Sequence, residues 1–385
     1  MSKFVLKNAV QAEDFIRGCT FFGTGGGGDY AEGVKALVQQ LDKGNEIGWI
    51  DADVLEDDAF CCCPFLMGSI APETPEVKRE REVLYGLGDQ TIDNTEAMVR
   101  AVKALEELKG EKAVALIPIE LGGGNTGACI AAAAELGIAV TNGDYTGRAI
   151  PEIQQTTPYI FEKELLPIAS VDCWENVAAI TSAVNWRMAE RIGKMISAGG
   201  YSKCAQAGFF FSVKDMKSIL VRNTLTESYN VGKALREAAE KGEDPALAAI
   251  KEVGGWVVFR GTVTERETED RQGYFWGINT IAGEGDFEGH ELKVWFKNEN
   301  HVSWFDGKPF ITSPDMIQVI DAETGHPFTN NKIKKGMRVS VIGMPARKEF
   351  TSERGLSILS AKVFDFDLPF VPVEELIKDY PFMIK

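Results

Sequence analysis

The first 150 residues alternate two kinds of hydrophobic spacing. Ala12–Phe22 and Tyr30–Lys43 carry apolar residues at helical intervals, the second through Val34, Leu37, Val38 and Leu41. Glu46–Ile50 reads as a short strand, and Ala59–Met67 is an unbroken apolar run, the pattern of a strand buried on both faces. Thr91–Lys109 predicts a helix, capped by Asn94 or Thr95, with Met98, Val99, Val102, Leu105 and Leu108 along one stripe. Lys112–Glu120 predicts another buried strand. Gly122–Asn125 turns the chain into a small-residue helix, Thr126–Leu136, closed by Gly137, and Ile138–Asn142 is the next strand. Two strands around one helix form a βαβ unit with a right-handed crossover. The expectation is an α/β N-terminal domain with a largely parallel sheet, over residues 1–167.

Beyond Gly147–Glu152 the pattern changes. Pro167–Val171, Val177–Ile180 and Cys204–Phe211 read as strands, and Trp186–Ala198, Thr224–Lys241 and Pro245–Val253 as helices. From Trp256 to about Phe366 the alternation has a period of two, in VVFRGTVTERET, ELKVWFKN, RVSVIGMPA and ILSAKVFDF. Residues 168–385 are therefore expected to form an α+β C-terminal domain, mixed to about 255, with a β-rich barrel or roll over about 256–368.

Charge narrows the function. The 385 residues hold 41 Lys plus Arg against 57 Asp plus Glu, a net charge of −16. Such a surface repels nucleic-acid phosphates and anionic lipid, so neither nucleic acid nor membrane is an expected partner. No apolar run approaches the ~18 residues of a membrane span, and the start of the chain lacks the apolar core of a signal peptide. Seven Cys, without a CxxC pair, do not suggest a disulfide framework, and a cytoplasmic location is expected. The three His, at 290, 301 and 326, show no metal-ligand spacing. No cofactor is expected; carboxylate-only metal sites leave no spacing signature, so a divalent metal stays open. A homo-oligomer is expected.

Four stretches can carry chemistry. Gly23–Gly28 satisfies GxGxxG, but the segment before it looks helical, whereas a dinucleotide site needs a strand there. No Lys-Ser/Thr follows, which excludes a phosphate-binding P-loop. What remains is a row of amides around Thr24, Gly25, Gly26 and Gly27 suited to an anion, or tight helix packing. Glu120 and Asp144 each end a predicted strand. On one sheet edge they can share a proton and divide acid and base roles, or hold a hard cation. The structural alternative is a helix cap for Glu120 and a turn at Gly143 for Asp144. Arg148 offers a fork for a substrate carboxylate, with Glu152 one helical turn on; the alternative is an internal Arg148–Glu152 ion pair. The loop after Met67-Gly68, with Ser69 and Glu73, reaches the same edge or is an ordinary surface loop. Cys129 and Cys61–Cys63 read as core. Asn298–His301 and Ser313–Asp315 either close over the first domain's site or build turns.

Taken together, FFGTGGGGDY (Phe21–Tyr30), LMGS (Leu66–Ser69), IELGGGNT (Ile119–Thr126), NGDYTGRAIPEIQQTT (Asn142–Thr157), KNEN (Lys297–Asn300) and SPDMI (Ser313–Ile317) make the chain resemble the S-methyl thiohydantoin desulfurase-like family. Its members are often encoded beside hydantoinase/oxoprolinase enzymes. The resemblance implies an N-terminal α/β part to about residue 167, a C-terminal part ending in β structure, and hydrolysis of a five-membered thiohydantoin-type ring that releases a thiol and leaves a hydantoin. It points to Glu120, Asn125, Asp144, Arg148 and Glu152. Phe22, Gly124 and Thr146 depart from the usual family residues beside the expected pocket, which leaves the particular substrate open. The expected roles are Glu120, Asp144 and Glu152 in catalysis, with Thr24, Gly25, Gly26, Gly27, Ser69, Glu73, Asn125 and Arg148 holding a small anionic heterocycle. The rivals are a non-catalytic subunit of a hydantoinase/oxoprolinase-type enzyme and a nicotinamide-dependent oxidoreductase.

Overall fold

The computed structural model describes residues 3–68, 74–201, 203–380 and 382–383. Its centre is a six-stranded sheet in the order Ala139–Val140, Ala113–Leu116, Phe60–Gly68, Lys203–Ser212, Ile168–Asp172, Val177–Ile180. The first three strands are parallel, and every other pairing is antiparallel. The sheet is thus mixed, which corrects the largely parallel sheet expected from the βαβ pattern. That pattern covers only one half. In the other half Cys173–Asn176 is too short for a crossover and forces a hairpin, in which Asp172 accepts the amides of Trp174 and Asn176.

Phe60–Gly68 shows why its sequence is apolar throughout. Cys62 packs into the core with Phe15, Phe21, Met98 and Leu105, while Cys61 and Cys63 pack on the other side with Phe209, Phe211 and Tyr145. The helices Asn94–Lys109 and Gly123–Leu136 lie on the first face and Trp186–Gly199 on the second. Three local expectations shift. Asp93, rather than Asn94 or Thr95, caps the first of these helices, accepting the amide of Glu96 at 2.9 Å. The strand expected to reach Glu120 ends at Leu116. The turn glycines Gly123 and Gly124 already belong to the next helix, which Gly122 opens.

Ala9–Phe22 is a helix, so no strand precedes the glycine run, and the Rossmann arrangement that a nicotinamide oxidoreductase needs is not formed. The run packs as bare backbone: a Cβ on Gly27 would lie 2.4 Å from Gly122 Cα, and one on Gly28 3.0 Å from Gly124 Cα. Only glycine on both sides permits so close an approach.

The second half curls a seven-stranded antiparallel sheet into a half-barrel, in the order Lys308–Thr312, Glu299–Phe305, Glu291–Lys297, Tyr274–Gly283, Trp256–Arg271, Arg338–Met344, Met316–Asp321. Strand structure stops at Met344. The ILSAKVFDF stretch, expected as a strand, instead contributes to the helix Glu353–Ile358 and the 3-10 turn Ala361–Phe364. Ser352 caps that helix, and Ile358, Leu359 and Phe364 bury against Ile150, Ile160 and Phe350. The whole is a two-domain α/β fold. No helix of the described residues is long and apolar enough to cross a membrane.

Candidate functional site

Glu120 lies in the loop between the strand Ala113–Leu116 and the helix Gly123–Leu136. Two donors fix its carboxylate: Asn125 Nδ2 to Oε1 at 2.8 Å and the Ile150 amide to Oε2 at 2.8 Å. Asn125 is itself oriented, because its Oδ1 accepts the Leu66 amide at 2.8 Å. One side chain on the first turn of a helix therefore ties the central strand to the acid.

A second carboxylate arrives from the half-barrel. Glu299 opens the strand Glu299–Phe305, after Asn298, whose backbone takes a positive φ of 57°. Asn298 is pinned by exchanging hydrogen bonds with Phe275: its amide donates to Phe275 O and its Oδ1 accepts the Phe275 amide. The Glu299 carboxyl lies against Gly26, where a Cβ would come within 1.8 Å of Oε1. Its Oε2 is buried with no hydrogen-bond partner among the described residues.

Glu120 and Glu299 line the same cavity of about 70 Å³, together with Gly27, Gly28, Asn125, Glu152, Glu190 and Lys194. Burial pushes the Glu120 carboxyl up to about 7, with the Asp144 charge adding to it and the hydrogen bonds opposing it. Burial pushes Glu299 well above the usual carboxylate range, the Glu120 charge pushes the same way, and Arg148 and Lys194 oppose. Two like charges at one low-dielectric place resist joint ionisation, so near neutrality the pair holds a proton.

Lys194 and Glu190 sit one turn apart on Trp186–Gly199. Lys194 Nζ donates to Gly68 O at 2.9 Å and lies 4.3 Å over the Tyr274 ring. Burial lowers its pKa and the Glu190 carboxylate opposes the drop. Glu190 accepts the Tyr274 hydroxyl at 2.8 Å and the Ile153 amide at 3.0 Å. Glu152 is paired with Lys297 and also accepts from Gln154.

The structure thus brings Glu120, Asn125, Gly27 and Glu152 to one cavity, and Thr24, Gly25, Gly26, Asp144 and Arg148 are not among the residues that line it. Asp144 is fully buried. Its Oδ2 accepts the Thr146 and Gly147 amides at 3.0 and 2.7 Å and the Thr146 hydroxyl at 2.9 Å; its Oδ1 accepts the Thr224 hydroxyl at 2.8 Å. It is not among the residues lining the cavity, and burial raises its carboxyl to about 6.

Arg148 is 2% exposed. Its Nε donates to Ala149 O, one terminal nitrogen to Ser313 Oγ and the carbonyls of Pro314 and Asp315, and the other to Thr24 Oγ1 and Asn300 O. The five N–H groups of a guanidinium are thereby spent inside the protein. Gly147–Thr156 is not helical, so Arg148 and Glu152 are not on adjacent turns.

Thr24 and Gly25 accept the Asn300 and Asn330 amides at 2.7 Å each. Ser69 and Glu73 lie outside the described residues. Cys129 and Cys61–Cys63 are buried, and burial raises their thiols, so none is poised as a thiolate. No group of three or more His, Cys, Asp or Glu among the described residues is arranged to hold a metal ion.

Sequence reasoning singled out the Asn298–His301 stretch without choosing Glu299 from it, and it missed Glu190 and Lys194. The available signal for those two was charge on the buried stripe of an otherwise amphipathic helix, where a lone apolar-face charge is costly unless partnered.

A mixed sheet and a curled antiparallel sheet that meet over buried carboxylates define the class: a two-domain α/β protein with an interdomain cavity. The chain belongs to the S-Me-THD-like family: residues 10–182 match its N-terminal domain and residues 184–373 its C-terminal domain. A crystal structure of a protein from Chromobacterium violaceum, solved by structural genomics, shares the fold with a TM-score of 0.73 at 21% identity, over 96% of this chain and 100% of that one. No curated protein matches the sequence.

Proposed function

We propose that the protein is a hydrolase that desulfurises a small five-membered ring, a thiohydantoin or S-methyl thiohydantoin bearing a carboxylate. The observation that carries this reading is the buried Glu120–Glu299 pair on one cavity, one carboxyl pushed up to about 7 and the other raised well above the usual carboxylate range by burial. Family membership supplies the ring chemistry.

In this reading ionised Glu120 takes a proton from water as the oxygen adds to the ring carbon bearing sulfur. Protonated Glu299 gives its proton to the ring nitrogen of the opening C=N bond. The adduct then collapses: the C–S bond breaks, the new hydroxyl returns its proton to Glu299, and Glu120 protonates the departing thiolate. Water has been split between a carbonyl oxygen, a ring N–H and a thiol, and both carboxyls are restored. Glu120, with a pKa of about 7, lies near the working pH, which general acid–base catalysis favours, and the upward push of burial on Glu299 suits a proton donor. Gly27 and Gly28 line this cavity and their amides donate to no acceptor among the described residues, which suits them to the ring carbonyl or the adduct oxygen. Asp144 acts as a positioning residue through the Thr146–Gly147 turn, and Arg148 holds the domains together instead of binding substrate.

The rival, a non-catalytic subunit, gives no reason to keep two carboxyls beside each other in a cavity, since one of them is unpaired and costs stability. The test incubates the purified protein with S-methyl thiohydantoin, thiohydantoin and hydantoin propionates, with and without chelator, and assays released thiol and ring-opened acid. Thiol release that Glu299→Gln abolishes supports the reading; no thiol from any compound overturns it.

A further inference from the structure

Behind the wall formed by Glu152, Glu190 and Lys194 lies a second chamber of about 540 Å³. Both cavities are lined by these three residues, so the two spaces are neighbours. The outer chamber adds Arg187 and Arg191, one turn apart on Trp186–Gly199, and Lys297, Tyr274 and Trp276 from the half-barrel.

Its charge runs against that of the molecule. In a chain of net charge −16, this chamber faces four cations and only two carboxylates. Glu152 is already matched by Lys297, and Glu190 and Lys194, one turn apart, offset each other, which leaves Arg187 and Arg191 in excess. Arg187 and Arg191 are exposed, and neither has an ion-pair or hydrogen-bond partner among the described residues. Among the other exposed arginines, Arg222, Arg271 and Arg338 pair with an acid, while Arg79 also lacks a partner among the described residues. Two unspent guanidinium forks beside an aromatic wall suit a planar anion, a carboxylate above all.

We propose that this chamber is the substrate's entrance and its carboxylate subsite: Arg187 and Arg191 hold the acid tail while the ring lies in the inner cavity. The proposal rests on the reading of the inner cavity as the reaction site. It also replaces the tail-binding role that Arg148, fully engaged elsewhere, does not have free donors to fill. The net acidic charge of the chain then disfavours anions in general, while the cations lining this chamber admit them.

The test measures equilibrium binding of hydantoin-5-propionate and of its uncharged amide by calorimetry, which needs no turnover. The wild type is expected to bind the propionate about tenfold more tightly than the amide, a preference that weakens with added salt. Arg187→Gln/Arg191→Gln removes the preference and leaves amide binding unchanged; the Lys double variant restores part of it. With a reacting substrate, the same Gln variant raises KM for the acid-bearing ring and leaves kcat in place. Equal binding of acid and amide by the wild type, no binding of either, or a preference that survives in the Gln variant overturns the proposal. A failed desulfurisation assay alongside an arginine-dependent preference overturns the reaction and leaves the subsite standing.

Discussion

Two acidic residues carry opposite consequences for stability and for chemistry. Glu299 Oε2 has no partner to lose, and Glu299→Gln replaces a protonated carboxyl with a neutral amide of the same shape, at little structural cost. Its urea midpoint is expected to equal or exceed that of the wild type while thiol release falls by about 100-fold or more. Glu120 differs, because Gln at that position would face the Ile150 amide with a donor, leaving one buried N–H unmatched. Its pKa of about 7 also makes stability depend on pH. The raised folded value means that the contribution of protonated Glu120 is whole below about pH 4.5 and is lost as pH rises through 7, on the order of 3 kcal/mol in all. Thermal melts from pH 4.5 to 8 should therefore slope downward more steeply for the wild type than for Glu120→Gln; parallel curves would refute the assigned shift. The sequence marked Glu120 because it follows an apolar run and precedes glycines. It left Glu299 undistinguished, because its partner is more than 170 positions away and no local pattern records such a meeting.

The elements explain why glycine is concentrated in two places. Gly23–Gly28 and Gly122–Gly124 are each other's packing surface, and their approach carries Gly27 and Gly28 to the cavity beside Asn125. Gly27→Ala adds a methyl 2.4 Å from Gly122 Cα at a φ of +76°, so a loss on the order of 3 kcal/mol or more is expected in a urea titration. An alanine variant as stable as the wild type would show that the two loops can separate. Of the two readings of the glycine run made from sequence, close packing is the one this arrangement shows. The helix-before-loop order was legible in AEDFIRGCTFF. The sheet's mixed direction was not, because βαβ spacing marks only the strands it joins, and Lys203–Ser212 carries no sign of which neighbour it will lie against. The stretch after Met344 misled for a related reason: in short segments such as ILSAKVFDF, alternation is shared by strands and by small helical turns that bury every second or third side chain.

At the scale of the molecule, Arg148 ties the halves together. It joins Thr24 in the first glycine loop to Asn300, Ser313, Pro314 and Asp315 in the half-barrel. Arg148→Ala strands those acceptors and removes the positive charge that faces Glu299 and Asp315. A loss of about 3–5 kcal/mol is expected, with the single calorimetric transition splitting into two as the domains uncouple. A variant that still melts in one transition near the wild-type temperature would remove Arg148 from this role. Read from sequence as a fork for a substrate carboxylate, Arg148 instead spends its donors inside the protein. The partners are main-chain carbonyls and hydroxyls of its own chain, which only the assembled fold identifies.

Glu120 and Glu299 come from different domains, and that division has a consequence for any severed form of the protein. In the proposed reaction, a cut in the polypeptide near residue 183, between the two matched regions, would part the two carboxyls, and since Lys203–Ser212 of the second piece lies between Phe60–Gly68 and Ile168–Asp172 of the first, the sheet itself must be rebuilt before they meet again. Activity would then return only on reassociation, in proportion to the fraction of fragments docked, so the reaction rate itself becomes a gauge of how firmly the two pieces hold one another.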